Sequence, residues 1–394
     1  MTAATGSLVG ALVSFALTPV LSRIYLPSTL GLASGLIAFA SVFVGFSTCR
    51  VEVLAHSDSD DRRANAAFYL ALKLSLVVSL AIGIVSFFLP LLRGGWEPVW
   101  IALLIFAGSI QIIAIAIVTR RRSYGLLSLG QFSQLGGTGI AQLGFGIVSP
   151  SKIALLSGFV LARVGWLGAF RSLRTGERRR LNFKDVRGYA VPSGLSALLN
   201  GVSNQLPMIL MVSVFGASSG GQYAMAFRVL VSPLALLGAG YAAAAVGEVG
   251  RCFREGDPGV VRMVRRGMME LALVGLAPAL VCLVFGERLI TVMLGDQWDV
   301  AGRMVSALAV GAFIQFFTVP FAQLLNLSGH SRVLLLWDAG RILILLVVLV
   351  SPSALGWSSI AAVWALSIGM VLIYAVLGLL VLKYVGRFVQ LEQV

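Results

Sequence analysis

Residues 170–187 read FRSLRTGERRRLNFKDVR. The stretch carries Arg171, Arg174, Arg178, Arg179, Arg180, Lys184 and Arg187 between two long apolar regions, and it is the one basic segment long enough to form a substantial loop. Lys and Arg are retained on the cytoplasmic side of short membrane loops, so this segment fixes the orientation of the spans that flank it. It also divides the chain near its middle.

Composition places those flanks in a membrane. Hydrophobic residues make up 58% of the chain and charged residues 12%, against about 25% charged in soluble domains, and the mean hydropathy is +0.94. A net charge of +14 would suggest nucleic acid in a soluble protein, but 26 of the 30 basic residues are Arg and most lie in short gaps between apolar runs. Topology and anionic lipid head groups account for that bias, and no nucleic-acid partner is expected. Cys49, Cys252 and Cys282 are widely spaced and imply neither a disulfide framework nor a metal cluster. Residues 1–5 lack the basic region of a cleavable signal.

A window of about 20 apolar residues per span predicts an all-α integral membrane protein. The segments fall at 5–24, 30–53, 66–89, 96–118, 126–148 and 153–170 before the loop, and at 188–215, 221–246, 267–285, 301–325, 333–350 and 357–382 after it. That is about twelve helices. The expected organisation is a six-helix lobe over 1–170, a cytoplasmic linker over 171–187, a second six-helix lobe over 188–382 and a cytoplasmic tail over 383–394. With both termini inside, 20 Lys and Arg residues fall in inner loops and the tail, 5 in outer loops and ends, and 5 within the spans. Twenty against five is the asymmetry a correct topology requires.

Short connections leave no room for a soluble catalytic domain, and an enzyme is not expected. None of Lys73, Lys152, Lys184 and Lys383 follows a glycine, which excludes a Walker A phosphate loop. His56 and His330 are too far apart to suggest a zinc pair, and the acids Glu52, Glu270 and Asp338 form no close carboxylate pair. The two halves also align weakly. Placing Gly31 over Gly221 sets residues 27–31, PSTLG, against 217–221, ASSGG, at an offset of 190, the register of a parallel repeat about an axis along the membrane normal.

Three stretches carry a family resemblance: TPVLSRIYLPSTLGLASGLIAFASVF followed by Cys49-Arg50-Val51-Glu52; YAVPSGLSALLNGVSNQLPMILMVSVFGASSGGQYAMAFRVL over 189–230; and LGDQWDVAG over 294–302. Together they resemble the lipopolysaccharide and exopolysaccharide export proteins of the MOP (multidrug, oligosaccharidyl-lipid, polysaccharide) flippase superfamily. The resemblance implies two pseudo-symmetric six-helix lobes forming a V around a central cavity. It implies a cargo as well, an undecaprenyl-pyrophosphate-linked oligosaccharide, an O-antigen or exopolysaccharide unit, carried from the inner to the outer leaflet of a bacterial inner membrane. The implied partners are that lipid-linked sugar, membrane lipids, and the polysaccharide polymerase and chain-length machinery. No cofactor is expected beyond a coupling ion, H+ or Na+. Two features depart from the pattern: Ser28 and Thr29 stand where the first turn usually carries acids, and the flank before the first span is short. A small-molecule or drug exporter of the same fold, for which an acid pair and an aromatic pocket would be expected, is the alternative, with a membrane polysaccharide polymerase behind it.

Charges within spans are costly, so they face partners or a wet cavity. Arg23, Arg50, Arg228, Arg163, Lys73 and Arg341 are the candidate substrate contacts, since Arg binds phosphate oxygens through two parallel hydrogen bonds. The resemblance places Arg23, Arg50 and Arg228 first. Simpler readings stand beside four of them: Arg23, Arg50 and Lys73 can snorkel to the interface, Arg50 can pair with Glu52, and Arg341 has Asp338 one turn away; Arg163 and Arg228 have no acid within four residues and read as cavity-facing. Glu52, Asn200, Ser203, Asn204 and Gln315 are secondary polar candidates; Asn200, Ser203 and Asn204 share a helical face and, like Gln315, suit sugar hydroxyls or neighbouring helices.

Overall fold

The computed structural model describes residues 3–88, 95–173, 181–255, 259–327 and 330–391. Arg93, residues 174–180 of the basic loop and residues 392–394 of the expected tail lie outside the described residues. Every element among them is a helix: α1 (Ala3–Ile24), α2 (Pro27–Ser47), α3 (Val51–Ser57), α4 (Asp61–Phe87), α5 (Glu97–Arg120), α6 (Tyr124–Phe132), α7 (Thr138–Val148), α8 (Lys152–Leu161), α9 (Phe183–Glu255), α10 (Val260–Leu294), α11 (Asp299–Thr318), α12 (Gln323–Leu327), α13 (Ser331–Ala354) and α14 (Ser359–Leu391). Ten helices among the described residues are long and apolar enough to cross a membrane. One of these, Phe183–Val231, bends at Gly216, which sits at φ +86° and ψ 166°, a conformation essentially reserved for glycine. A further apolar run, α6 through α7, is interrupted by a π-turn at Ser133–Gly137. The expected twelve segments are thus met by ten long helices, one of them double, and one interrupted run.

Local signals explain the boundaries. Pro27 opens α2, its fixed φ suiting the first helical position. Asp60 caps α4 by accepting from Arg62 N at 2.9 Å, and Ser151 caps α8 by accepting from Ala154 N at 3.3 Å. Leu26 before α2 and Gly216 before the second part of α9 both have extended ψ and lie 190 positions apart, the offset read from the sequence repeat.

Three expected segments are corrected. The segment 30–53 stops at Ser47, because Cys49 and Arg50 both adopt positive φ, at 50° and 54°. That break puts Arg50 and Glu52 beyond the span instead of within it. The segment 126–148 carries the π-turn, and the segment 153–170 leaves α-geometry after Leu161 for a 3-10 helix over Ala162–Leu173.

The chain divides into two compact units, Met1–Ile209 and Leu210–Val394. In the first, Val51, Ala55, Phe68, Ile117, Trp166 and Ala190 share one apolar core, so the short α3 and the start of α9 are packed with α4, α5 and the 3-10 helix. The first part of α9 runs against α2 with almost no side chain between them: a Cβ on Gly201 would stand 2.4 Å from the Val42 carbonyl oxygen, and one on Gly194 3.4 Å from the Cys49 Cα. Ala197 meets Gly45 midway between these contacts. In the second unit, Val264, Phe316, Phe321, Leu324, Leu377 and Val381 form the core, and a cavity of about 170 Å³ lies between the second part of α9, α10 and α11, lined by Leu230, Pro278, Cys282 and Phe313 among others.

Arg120, at the end of α5, ties the loop before α4 in place. Its guanidinium donates to the Ala55 and Asp58 carbonyls at 2.7 and 2.6 Å and to Asp61 Oδ1 at 2.7 Å. Arg120→Ala is expected to loosen this loop, raising its proteolytic cleavage several-fold with little effect on detergent-solubilised thermal stability, because the contacts are local to the loop and the Asp61 partner is exposed. Limited proteolysis checks it.

Candidate functional site

The first unit holds most of the candidate polar residues. Arg23 is exposed in the last turn of α1. Lys73 is exposed on α4 along the face that also carries the exposed Leu76, Val77 and Leu80, where its long stem can carry the ammonium along the apolar surface. Arg163 is 8% exposed, donates to the Phe159 carbonyl at 2.6 Å and stacks over the Phe159 ring, while its Nε has no hydrogen-bond partner among the described residues. Asn204 donates to Asn200, one turn away as the spacing predicts, and Ser203 beside them is buried.

Arg50 and Glu52 form the most unusual arrangement in this unit. Two successive left-handed residues with full side chains cost about 1–2 kcal/mol each, and neither is a glycine or asparagine that would relieve it. The turn ends α2, exposes Arg50, and turns Glu52 inward, where it is 3% exposed. The Glu52 carboxyl is held by the Thr48 side chain and by its own backbone N–H, and Oε2 has no partner among the described residues. Burial pushes this carboxyl above the ordinary carboxylate range, against the opposing pull of Arg50. Thr48 is completely buried and its hydroxyl also receives the Arg50 backbone N–H at 3.3 Å. Thr48 was not singled out in the sequence, where a lone threonine at a helix end carries no signal.

In the second unit, Arg228 is half-buried on the second part of α9, and Gln315 sits in the last turn of α11, where its carbonyl accepts the Val319 N–H. Arg341 is 8% exposed and bonded to Asp338 at 3.2 Å, the i,i+3 pair expected. Its guanidinium lies 5.0 Å over the Trp337 ring and 3.5 Å from the Tyr374 hydroxyl. Trp337 in turn donates its indole N–H to the Ile373 carbonyl at 2.9 Å, so this bond and the Arg341–Tyr374 contact join α13 to α14 beside the charge pair. Among the described residues no group of three or more His, Cys, Asp or Glu side chains is arranged to hold a metal.

A family model described as polysaccharide biosynthesis protein matches residues 20–303. The chain belongs to this polysaccharide biosynthesis family. No curated protein sequence matches it. Its fold is that of the MOP transporters. The Lipid II flippase MurJ in an inward closed conformation superposes with a TM-score of 0.76 at 12% identity, covering 98% of this chain and 89% of that one. An inward-facing multidrug resistance MATE transporter of the MOP superfamily gives 0.69 at 13% identity, over 98% and 96%. A MOP superfamily transporter from Pyrococcus furiosus gives 0.60 at 13%, over 98% and 96%. At these identities the structural likeness fixes the fold, and the family match carries the link to polysaccharide synthesis.

Proposed function

We propose that this family member is a flippase that moves an undecaprenyl-pyrophosphate-linked oligosaccharide, an O-antigen or exopolysaccharide unit, from the inner to the outer leaflet of a bacterial inner membrane. The carrying observation is the polysaccharide-biosynthesis match over 20–303 on an all-helical membrane chain; a sugar-pathway protein built this way has passage of a lipid-linked intermediate as its natural task. The fold it shares with the Lipid II flippase supports the reading. The cycle is alternating access without ATP hydrolysis, with both termini in the cytoplasm and the polymerase and chain-length machinery receiving the product.

Arginine side chains are the candidate pyrophosphate contacts, Arg50 just past the end of α2 in the first unit and Arg228 within the second part of α9 in the second. Arg50 is exposed and Arg228 half-buried, and each offers the planar fork that matches phosphate oxygens. A charge-assisted contact of this kind is worth about 1.5–3 kcal/mol, so losing one should slow transport by about tenfold or more. The test is leaflet accumulation of lipid-linked oligosaccharide in cells lacking the protein, complemented by wild type or Arg228→Ala at matched membrane levels. Cytoplasm-facing intermediates that wild type clears and the variant does not are the expected result. An unchanged intermediate pool in the deletion strain overturns the flippase reading.

A further inference from the structure

We infer that the face of α9 carrying Ser196, Asn200 and Asn204 is the sugar-recognition track of this transporter, and that it takes an uncharged sugar of the glycan. The inference rests on the flippase reading and deepens it, naming the part of the cargo that this helix reads.

The first part of α9 has three faces. Gly194, Ala197 and Gly201 turn toward α2, where Cys49, Gly45 and Val42 stand against them. Val191 and Leu195 form a second, apolar face, 51% and 55% exposed. Ser196, Asn200 and Asn204 are exposed as well, and at about 100° per residue they fall about 160° around the helix axis from Val191 and Leu195. The contact with α2 fixes the rotation of the helix, so lipid on one exposed side means that the other is turned away from it. Hydrocarbon accepts Val191 and Leu195 without penalty, whereas an amide placed in lipid loses its water and gains no partner. Lipid therefore takes the apolar face, and the amide face looks into water.

The chemistry of the wet face is that of a sugar site. Asn204 donates to Asn200 Oδ1, which holds both amides in place and leaves the Asn200 NH2 group to donate outward. An amide sets donors beside an acceptor, the combination that a sugar hydroxyl or acetamido group presents in return. Ser196 adds a hydroxyl one turn before Asn200. From Gly188 to Phe227 the chain has no Asp, Glu, Lys or Arg. The track consequently has no cation to make the charge-assisted bonds that hold phosphate, and an acidic sugar drawn onto it would leave its carboxylate without a counter-charge. A neutral sugar leaves no charge uncompensated. The polysaccharide-biosynthesis match covers this whole segment.

A structural amide pair and a sugar track behave differently when the amides are removed. If the pair only tied α9 to a neighbour, its loss would lower stability and weaken every ligand alike. As a track, its loss removes the sugar's share of binding and leaves the rest.

Thiol accessibility tests the wet face without any ligand. In membrane fragments open to both sides, Asn200→Cys should react with a charged methanethiosulfonate at least tenfold faster than Leu195→Cys, each read as the increment over the wild-type cysteines. Equal or reversed rates overturn the assignment of the face.

Binding tests the ligand. Full-length protein in lipid nanodiscs is titrated with undecaprenyl pyrophosphate alone, with the same lipid carrying N-acetylglucosamine, and with the same lipid carrying glucuronic acid. Wild type should bind the N-acetylglucosamine lipid about tenfold tighter than the other two, the worth of one or two neutral hydrogen bonds. The double variant Asn200→Ala with Asn204→Ala should bind it no better than bare lipid, with its affinity for bare lipid and its thermal midpoint unchanged. Ser196→Ala, which should reduce the sugar-dependent gain about threefold, serves if the double variant does not fold. A gain that survives in these variants, or one as large for the glucuronic acid lipid, overturns the proposal. Wild type that binds all three probes equally overturns it too, and leaves the flippase reading standing. Wild type that binds none of them overturns the flippase reading, and the track falls with it.

Discussion

Gly201→Leu is expected to abolish accumulation of folded protein, or to leave a species whose thermal midpoint in detergent has collapsed. The position allows no Cβ: the nearest atoms would be the Val42 carbonyl oxygen at 2.4 Å, its Cα at 3.0 Å and its carbonyl carbon at 3.1 Å. All three belong to the backbone of a membrane helix, so no flexible side-chain tip can swing aside. Ordinary overpacking costs about 1–3 kcal/mol because a core can shift its side chains; here α2 and the first part of α9 must separate as bodies. Separation also undoes Gly45 against Ala197 and Cys49 against Gly194, the contacts one and two turns along. Close backbone approach through small residues is the main packing force available between helices in lipid, so nothing compensates. Gly144→Ala is the contrast. It lies in α7 with nothing within 4 Å of the new Cβ, and is expected to stabilise by about 0.5–1 kcal/mol through helix propensity. Fluorescence-detected size exclusion after a temperature series, run on both variants, separates the cases. Equal behaviour of Gly201→Leu and wild type would mean that α2 and α9 do not approach this closely.

The helices themselves were legible because their signal is gross: about 20 apolar residues per span between basic loops. Two helix interruptions were legible too, since PSTLG and ASSGG read as turns, and Leu26 and Gly216 interrupt the helix just before them, 190 residues apart. What hydropathy missed were changes of helix type inside apolar sequence. Nothing in LSLGQFSQLGG distinguishes a π-turn from continued α-helix, because the apolar content is the same in either geometry. The α2–α3 break was missed for a related reason. STCRVEV contains no glycine, asparagine or proline, so the usual punctuation is absent and the left-handed pair is imposed by packing around Val51 and Ala55.

For the candidate polar residues, spacing succeeded where partners lie on one helix. The Asp338–Arg341 pair is the one expected from the 3.6-residue period; Asn200 and Asn204, expected only to share a face, bond each other one turn apart. It failed where depth or burial decides. Lys73, read as able to snorkel, is exposed beside apolar residues, whereas Arg163, read as cavity-facing, is enclosed against Phe159. Burial is set by which neighbours pack on the helix, and that information is distributed over α1 to α8.

Asp338→Ala is expected to destabilise the second unit by about 3–5 kcal/mol, the cost of leaving a buried charge without its partner. Arg341 is 8% exposed and its bond to Asp338 is 3.2 Å; the Tyr374 hydroxyl at 3.5 Å and the Trp337 ring at 5.0 Å orient the guanidinium but carry no negative charge to replace the acid. The double change Asp338→Leu with Arg341→Met should restore most of the loss, since replacing both members of a buried pair with apolar groups is often neutral. The pair therefore gives a cycle that separates two roles for Arg341. If its role is structural, the double variant recovers both thermal stability and clearance of lipid-linked intermediates. If Arg341 also contacts cargo phosphate, stability returns while clearance stays about tenfold or more down, the loss expected for one charge-assisted contact. A double variant as unstable as Asp338→Ala would refute the assignment of a buried ion pair, because removing both charges leaves nothing unpaired to account for the cost.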